Sequence, residues 1–502
     1  MMQRVYAFGL QHYGYQADRY PEDNDNNTDA NDSANISNNV NVDVNSINHT
    51  PDLELDADPT LASCRPDPFL SANSIVVLWS SWCDVVIAYW NSDGHGHGLR
   101  SWQVRYLGTG LNAAQKAHVC DIRGQKLSAG VGAGDELEDG LNVTFFGDAM
   151  HHGLRGYVLT NNADSSSSSS AATAADGEEE QEEHQTVVLF ATDPELENGV
   201  PDVQTYRVGG DWPTITGINI LSDDSLLLLL SPPQLPKPRL GNEPAGQTRD
   251  MVISHIPSQS ALRAHLSPSG SAAALPNSLH TTTLQCDAPD MSNSVSTNAT
   301  TTALVDADMR VWTWSNDTRY QRCLGRPYDG ESALGQVTFL SETHVTKVVS
   351  GGYVSAALSA GGELFVWGQA CPGSTGEIRV LGGRAEGDGP TTTATTTMMT
   401  GITVEGEQDE DVKCLVVYID GVDARVYDVA VGHGHVLVAA VAGAGPAETR
   451  GVFAAGENAR GQLGVMGKSF HREFTEIVAL RGKRIAQLSA AGWSSFVVTL
   501  EE

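Results

Sequence analysis

Short apolar runs that stop on a glycine recur along the chain. Val452 to Ala455 is followed by the turn residues Gly456-Glu-Asn458 and then by Gly461-Gln-Leu-Gly464. The same order of apolar run and glycine occurs at Val5-Tyr-Ala-Phe-Gly9. Runs of this length that are rich in β-branched and aromatic residues predict β-strands, and Gly and Asn accept the positive φ angles of tight turns. The pattern therefore predicts short strands separated by turns.

The most complete unit spans residues 345–368. It holds three strand signals, with Gly-Gly pairs at 351–352 and 361–362 marking the turns. Comparable blocks begin near residues 75, 143, 203, 297, 345, 426 and 484, and helix signals are short, as at 112–117. Repeated small sheets must stack to bury both faces. We predict an all-β propeller of six or seven units, with seven units of roughly 50 residues suiting the length better.

The two ends of the chain predict a closed ring. The last unit, 484–500, has the early strands of a repeat without the late one, whereas the first strand, 4–9, resembles only a late strand. Pairing of the N-terminal strand with the C-terminal half repeat would complete the sheet and leave no exposed strand edge.

Four intervals interrupt the repeats and are predicted to be disordered insertions in a single domain, 1–502. They are rich in Asn, Asp, Ser, Thr, Pro or acidic residues, which cannot bury enough apolar surface to order a chain. The intervals are 17–60, 161–185, 231–300 and 373–411.

Composition narrows the classes of function. The 502 residues include 30 Lys and Arg against 62 Asp and Glu, a net charge of −32. Such a balance disfavours direct nucleic-acid binding and favours basic partners, for which the acidic runs in the loops are candidate docking segments. No apolar run is long enough to span a membrane, and the N-terminus lacks the pattern of a signal peptide. We expect a soluble monomer of the cytoplasm, and also of the nucleus.

No chemical motif stands out. The seven cysteines are scattered without a Cys-x-x-Cys pair, which predicts reduced thiols that mostly fill the core. The histidine pairs at 95/97, 151/152 and 433/435 lack Cys or carboxylate partners at a repeating spacing, so structural or surface roles are expected rather than metal binding. Gly130–Gly134 lacks the Lys-Ser/Thr of a phosphate loop. We predict no catalytic residue, no cofactor and no metal.

The repeat resembles that of the RCC1 family. That family pairs an early Gly-x-x-His-Ser-x-Ala-Leu motif with a later Trp-Gly-x-Asn-x-x-Gly-Gln-Leu-Gly motif. Residues 456–464 match the later motif with Ala455 in place of Trp, and residues 351–358 match the early one with Val354 in place of His. Trp367-Gly368 follows, and His435 restores the histidine. The resemblance implies an RCC1-like β-propeller; WD40 and kelch repeats match less well.

The two ends are more similar to the fungal alpha-tubulin-suppressor type of RCC1 protein. That resemblance implies a non-enzymatic protein-interaction scaffold or regulatory subunit. It implies as partners a small zinc protein of diphthamide synthesis and the Elongator tRNA-modification machinery. The alternative is a guanine-nucleotide exchange factor for a Ran-like small GTPase, the role of the founding family member. A third hypothesis is an enzyme with an axial active site.

Two groups of residues are the candidate sites. Trp82 and Trp493 lie at turns after early strands, where they pack in the core or contact a partner. The predicted structural turns of the repeat are Gly9, Gly108, Gly351, Gly368, Gly432, Gly456, Asn458, Gly461 and Gly464.

Overall fold

The protein consists almost entirely of antiparallel β-sheets. The computed structural model describes residues 2–9, 68–91, 102–122, 143–148, 153–161, 184–209, 212–221, 223–231, 250–267, 284–285, 295–306, 308–315, 317–328, 334–382, 400–404 and 411–501. The first half of the strands comprises β1 (Met2–Phe8), β2 (Leu70–Ala72), β3 (Ser74–Ser80), β4 (Asp84–Trp90), β5 (Gln103–Gly108), β6 (Val143–Asp148), β7 (Gly153–Asn161), β8 (His184–Phe190), β9 (Val203–Val208), β10 (Thr214–Ile220), β11 (Leu226–Ser231), β12 (Asp250–Ile256), β13 (Leu284–Gln285) and β14 (Val295–Thr297). The second half comprises β15 (Thr302–Val305), β16 (Val311–Trp314), β17 (Leu334–Gln336), β18 (Val345–Gly351), β19 (Val354–Ser359), β20 (Leu364–Gly368), β21 (Gly401–Val404), β22 (Val412–Ile419), β23 (Val422–Val431), β24 (His435–Ala442), β25 (Thr449–Glu457), β26 (Phe470–Glu476), β27 (Arg484–Ala491) and β28 (Ser494–Glu501).

Helices are short and lie in the loops. They are α1 (Ala113–Cys120), α2 (Asp193–Glu197) and α3 (Gln259–Leu266), with 3₁₀ turns at Thr318–Leu324, Thr338–Leu340, Gly445–Ala447 and Val478–Leu480. Asn112 caps the N-terminus of α1, because its side chain accepts from the Gln115 N–H while the Gln115 side chain accepts from the Asn112 N–H.

The strands form six hydrogen-bonded sheets within the described ranges. Five are separate blades of three or four strands, in the orders β27-β28-β1-β2, β3-β4-β5, β6-β7-β8-β9, β10-β11-β12-β13 and β14-β15-β16-β17. The sixth runs without interruption from β18 to β26, with β21 paired to β22. Because hydrogen bonds do not divide this nine-stranded sheet, the number of seven blades stays a prediction.

The sheets are arranged around a ring. The first strands contact one another in the order β3, β6, β10, β14, β18, β23 and β27, and β27 contacts β3 again. Apolar clusters fill the spaces between successive sheets; one of them joins Val86 and Tyr106 to Leu154 and Phe190. This arrangement is a β-propeller, as the spacing of the strands predicts.

Second strands are buried on both faces. All six residues of β19, Val354–Ser359, are buried, and β24 is buried at seven of its eight positions. A strand covered by sheets on both sides has no polar face, so it appears in the sequence as a continuous apolar run.

The predicted closure is present in the structure. Strand β1 pairs antiparallel with β28 over its whole length, from Met2 opposite Glu501 to Phe8 opposite Ser495. Its other edge pairs with β2. Val5 is completely buried between these neighbours. The first strand therefore completes the last sheet.

The structure corrects two boundaries that composition suggested. The unit start near 203 is wrong, because β9 is the outer strand of the preceding sheet and the next sheet begins at β10. The interval 231–300 contains β12, α3 and β14, and Ile256, Leu262 and Leu266 are buried. Composition averaged over 70 residues conceals these short apolar patterns.

Smaller corrections apply to two other intervals. Asn161 ends β7, and His184 and Gln185 begin β8, at the edges of 161–185. Within 373–411, Ile378 and Leu381 are buried and β21 pairs with β22. All of 17–60, and the remainder of the other intervals, lies outside the described residues.

Candidate protein-interaction face

The hairpin turns between first and second strands lie at one end of the ring. The β3–β4 turn carries Trp82, the β18–β19 turn Tyr353, the β23–β24 turn His433 and the β27–β28 turn Trp493. We call this end of the molecule the turn face. Its residues are Trp82, Tyr353, His433 and Trp493, together with Tyr320 and Arg460 from neighbouring loops.

Successive turns touch through their backbones. The Ala299 N–H donates to the Gly352 carbonyl at 2.8 Å, and the His433 N–H donates to the Gly492 carbonyl at 2.7 Å. A Cβ atom on Gly492, whose φ is +51°, would lie 2.3 Å from Cα of Trp82. Only glycine permits this approach, so these turns form a closely packed rim.

Two tryptophans and a histidine meet on this rim. The Trp82 and Trp493 rings are 6.3 Å apart at 78°, and the His433 and Trp493 rings are 5.8 Å apart at 82°. Both are edge-to-face contacts, which suit the charge distribution of aromatic rings. All three side chains are half-buried. They therefore hold one another in place while leaving aromatic surface at the solvent boundary.

Arg460 lies over this cluster. Its guanidinium carbon is 5.1 Å from the centre of the Trp493 ring, and the residue is exposed. Asn458, 7% exposed, holds the loop from inside. Its carboxamide oxygen accepts from the Leu463 N–H at 3.1 Å, and its Nδ2 donates to the Val465 and Lys468 carbonyls. The repeat motif thus serves as a support that presents Arg460.

A second aromatic pair occupies another part of the turn face. Tyr320 and Tyr353 are 4.9 Å apart at 62°, and the Arg319 guanidinium lies 5.4 Å from the Tyr320 ring. Asp317 binds Arg319 through two hydrogen bonds, of 2.9 and 2.7 Å. Partial burial, with Tyr320 close by, raises the pKa of Tyr353 to about 12. The hydroxyl therefore stays protonated and neutral at physiological pH.

Titratable groups beneath the face are held in their neutral forms. Burial lowers the pKa of His435 to about 4, and its Nε2 lies 2.9 Å from Ser495 Oγ. Cys371 Sγ is 3.9 Å from His433 Nδ1, and burial raises the pKa of this thiol to about 12. Burial likewise raises the pKa of Cys83 to about 12. Thiolate nucleophiles are therefore disfavoured at these two positions.

In the described part of the chain, no group of three or more His, Cys, Asp or Glu side chains is placed to hold an ion. The absence of a metal stays a prediction. His433 and His435 diverge: one lies on the rim, whereas the other is buried. The pairs at 95/97 and 151/152 lie outside the described residues. No helix within the described ranges is long and apolar enough to cross a membrane.

The glycines named from the sequence lie at strand ends or in turns. Six of them have positive φ: Gly9, Gly108, Gly368, Gly456, Gly461 and Gly464. The other two are constrained by close contacts. A Cβ atom on Gly351 would lie 2.5 Å from the Val431 carbonyl oxygen, and one on Gly432 would lie 2.1 Å from the His435 ring.

Of the candidate site residues, the structure brings Trp82 and Trp493 together. Sequence reasoning did not select Tyr320, Tyr353, His433 or Arg460 as partner-contact residues. The signal for Arg460 was available, because it lies in the exposed part of the repeat motif. Its placement over Trp493 depends on contact between two successive sheets, which the sequence does not specify.

Comparison with known proteins identifies structural neighbours only. No protein-family model matches the sequence, and no curated protein matches it. Human WBSCR16 is similar at 12% identity, covering 86% of this chain and 87% of that one, with a TM-score of 0.41. Prp20p from Saccharomyces cerevisiae is similar at 12% identity, covering 64% and 65%, with a TM-score of 0.36.

A third structure, the β-propeller domain of the Trilobed protease from Pyrococcus furiosus, is 8% identical, covers 81% of this chain and 85% of its own, and has a TM-score of 0.30. Since these scores are below 0.5, the propeller assignment rests on the strand pairing and the clusters between sheets. The fungal alpha-tubulin-suppressor type stays a prediction. RCC1-family proteins are nevertheless among the structural neighbours of this chain.

Proposed function

We propose that this protein is a non-enzymatic protein-interaction scaffold or regulatory subunit that binds its partner through the turn face. The cluster of Trp82, His433, Trp493 and Arg460 carries this proposal. Trp, Tyr and Arg are the residues most enriched among those that dominate binding energy at protein interfaces. Here they are prearranged, so that little side-chain freedom is lost on binding.

The test is affinity purification of the full chain, followed by identification of bound proteins. We expect Trp82→Ala and Trp493→Ala each to weaken binding of a specific partner at least tenfold, the usual effect of truncating a dominant interface residue. Val478→Ala is the control, since Val478 is 75% exposed and follows β26 at the opposite end of the sheet. Unchanged melting temperatures establish that the variants are folded. Partners retained equally by all variants would contradict the proposal.

The proposal extends to the identity of the partner. The sequence resemblance at the two ends favours a small zinc protein of diphthamide synthesis or Elongator components. Their dependence on Trp82 and Trp493 would support this assignment. We further propose that the complex forms in the cytoplasm and nucleus, which imaging of the tagged full chain checks.

The alternative function is guanine-nucleotide exchange on a Ran-like GTPase. The solved structure of Prp20p is described together with the binding of Prp20p to Gsp1p and histones. Those binding properties belong to Prp20p. Stimulated nucleotide release from a Ran-like GTPase by the purified chain, together with recovery of that GTPase as a partner, would favour the alternative over the scaffold.

A further inference from the structure

Arg460 carries its charge without a carboxylate partner among the described residues, unlike Arg319 and Arg322. Arg319 binds Asp317, and Arg322 binds Glu377 at 3.1 Å. Within the described residues, the guanidinium of Arg460 has no ion pair and no hydrogen bond, only the Trp493 ring beneath it. Glu457, the acidic residue that ends β25 before this loop, accepts instead from Ser374 Oγ at 2.5 Å. The N–H groups of the Arg460 guanidinium are therefore available to a ligand, while its cation contacts the Trp493 ring.

This arrangement fits a carboxylate. A guanidinium presents its N–H groups in a planar fork that matches the two oxygens of a carboxylate, and contact with an aromatic ring restricts its orientation beforehand. Apolar surface accompanies the cation, since the half-buried Trp493 ring lies beneath it and Trp82 contacts that ring. Met466, in the same loop as Arg460, is 66% exposed. One carboxylate and a neighbouring apolar side chain would satisfy both features.

The charge of the whole chain argues against a polyanion. A net charge of −32 repels a continuous phosphate backbone, whose binding requires several cations acting together. A single unpaired guanidinium suffices for one acidic side chain at close range, where contact outweighs the screened field of distant charges.

We propose that the turn face recognises a short acidic peptide segment of its partner, in which Asp or Glu binds Arg460 and an adjacent apolar or aromatic side chain packs on Trp82 and Trp493. This inference rests on the proposed function and names the chemistry of the partner at that face. The overall preference of an acidic protein for basic partners is thereby reversed at one local site.

Peptide selection on the full chain tests the proposal. A phage-displayed random peptide library is panned on the immobilised protein, and enriched peptides are synthesised for affinity measurements. We expect enriched sequences to share an acidic residue beside an apolar one. Arg460→Gln should weaken binding at least tenfold and reduce its dependence on salt, while Arg379→Gln, which removes an exposed paired arginine, should have no effect.

Exchanging the charges of Arg460 and of the acidic peptide residue tests the same contact from both sides. Arg460→Glu should lose the acidic peptide and recover affinity for the same peptide with Lys in place of its acidic residue. Affinity that depends on Trp493 but not on Arg460 would overturn this inference and leave the proposed function standing. Enriched peptides without acidic residues, no enrichment at all, or tighter Arg460-dependent binding of a single-stranded oligonucleotide would each overturn it as well.

Discussion

Individual side chains of the repeat have structural roles that their chemistry alone does not suggest. His435 belongs to a histidine pair that resembles a metal-ligand pattern, yet it is completely buried and contacts Ser495 in the next sheet. Asn458 resembles a binding residue in a glycine-rich loop, yet it satisfies backbone groups of its own loop. At this scale, recurrence of a residue in the repeat indicates support of the fold.

The protonation of His435 predicts a pH dependence of stability. Its pKa is about 4 in the folded protein against an ordinary value of 6.5, so the fold favours the neutral ring. Its contribution is fully present above pH 6.5 and declines as the pH falls toward 4. At pH 5 we expect a loss of roughly 2 kcal/mol from the free energy of unfolding. Urea denaturation at several pH values between 7 and 5 measures this loss.

The control for this prediction is His435→Gln. Glutamine retains a group that hydrogen-bonds to Ser495 but does not titrate. The variant should therefore be less stable at pH 7 and show a shallower fall in stability between pH 7 and pH 5. If stability falls with pH equally steeply in the variant and the parent protein, the pH dependence belongs to other groups. His471 is one such group, because burial also lowers its pKa.

At the level of elements, each sheet is an antiparallel unit whose second strand is enclosed by its neighbours. The last sheet obtains one of its strands from the opposite end of the chain, because β1 lies between β28 and β2. The stability of this sheet depends on β1, since loss of a strand between two others exposes the edges of both neighbours.

Strand β1 offers a matched pair of substitutions. Val5 is completely buried, whereas Met2 in the same strand is 49% exposed. Val5→Asp places an unpaired carboxylate in the core and should lower the free energy of unfolding by at least about 3 kcal/mol. Met2→Asp should change it by less than about 0.5 kcal/mol. Thermal unfolding of the full chain compares the two.

Deletion of residues 1–9 extends the same test. It should destabilise the protein at least as strongly as Val5→Asp, because the exposed edges of β28 and β2 lose their partner. An unchanged melting temperature after deletion, or equal effects of Val5→Asp and Met2→Asp, would mean that closure by β1 contributes little to stability.

Side-chain contacts join the first strands of successive repeats in the ring. Asp428 on β23 is one such contact. Its Oδ1 accepts from Lys347 Nζ on β18 at 2.5 Å, and its Oδ2 accepts from the Leu488 N–H on β27 at 2.6 Å. Gln487 adds another, exchanging hydrogen bonds of 2.8 and 2.9 Å with the Val77 backbone on β3. Side chains thereby link β18, β23, β27 and β3 in succession by hydrogen bonds.

Removal of Asp428 should destabilise the ring. Its side chain is 13% exposed and that of Lys347 is 17% exposed, so Asp428→Ala leaves a largely buried cation and an unpaired N–H. We expect a loss of roughly 3 kcal/mol in the free energy of unfolding. Lys347→Met combined with Asp428→Ala should cost less than the sum of the single changes. Additive costs in this double-mutant cycle would contradict a coupled pair.

An exposed ion pair supplies the comparison for that cycle. Arg379 and Glu473 are 64% and 57% exposed, and their guanidinium–carboxylate distance is 2.9 Å. Arg379→Ala should change stability by less than about 1 kcal/mol, because water screens the pair. Denaturant unfolding of all variants under one condition separates the effect of burial from the effect of charge.

The amino-acid sequence alone determined the class of fold and the closure of the ring. Both depend on local patterns: short apolar runs ended by glycine, such as residues 452–456, and incomplete repeats at the two ends. Such patterns reflect burial within one strand and the conformations of one turn, which neighbouring residues control. Composition does not predict the elements inside 231–300, because short elements such as α3 are obscured by the polar residues around them.

Only the tertiary structure decided which exposed residues share a surface. Trp82 and Trp493 come from distant parts of the chain and meet because the ring closes between β27 and β3. Arg460 reaches Trp493 because the loop between β25 and β26 lies against the first turn of the next sheet. Their proximity follows from the packing of whole sheets, a property of the assembled ring that no local pattern of residues encodes.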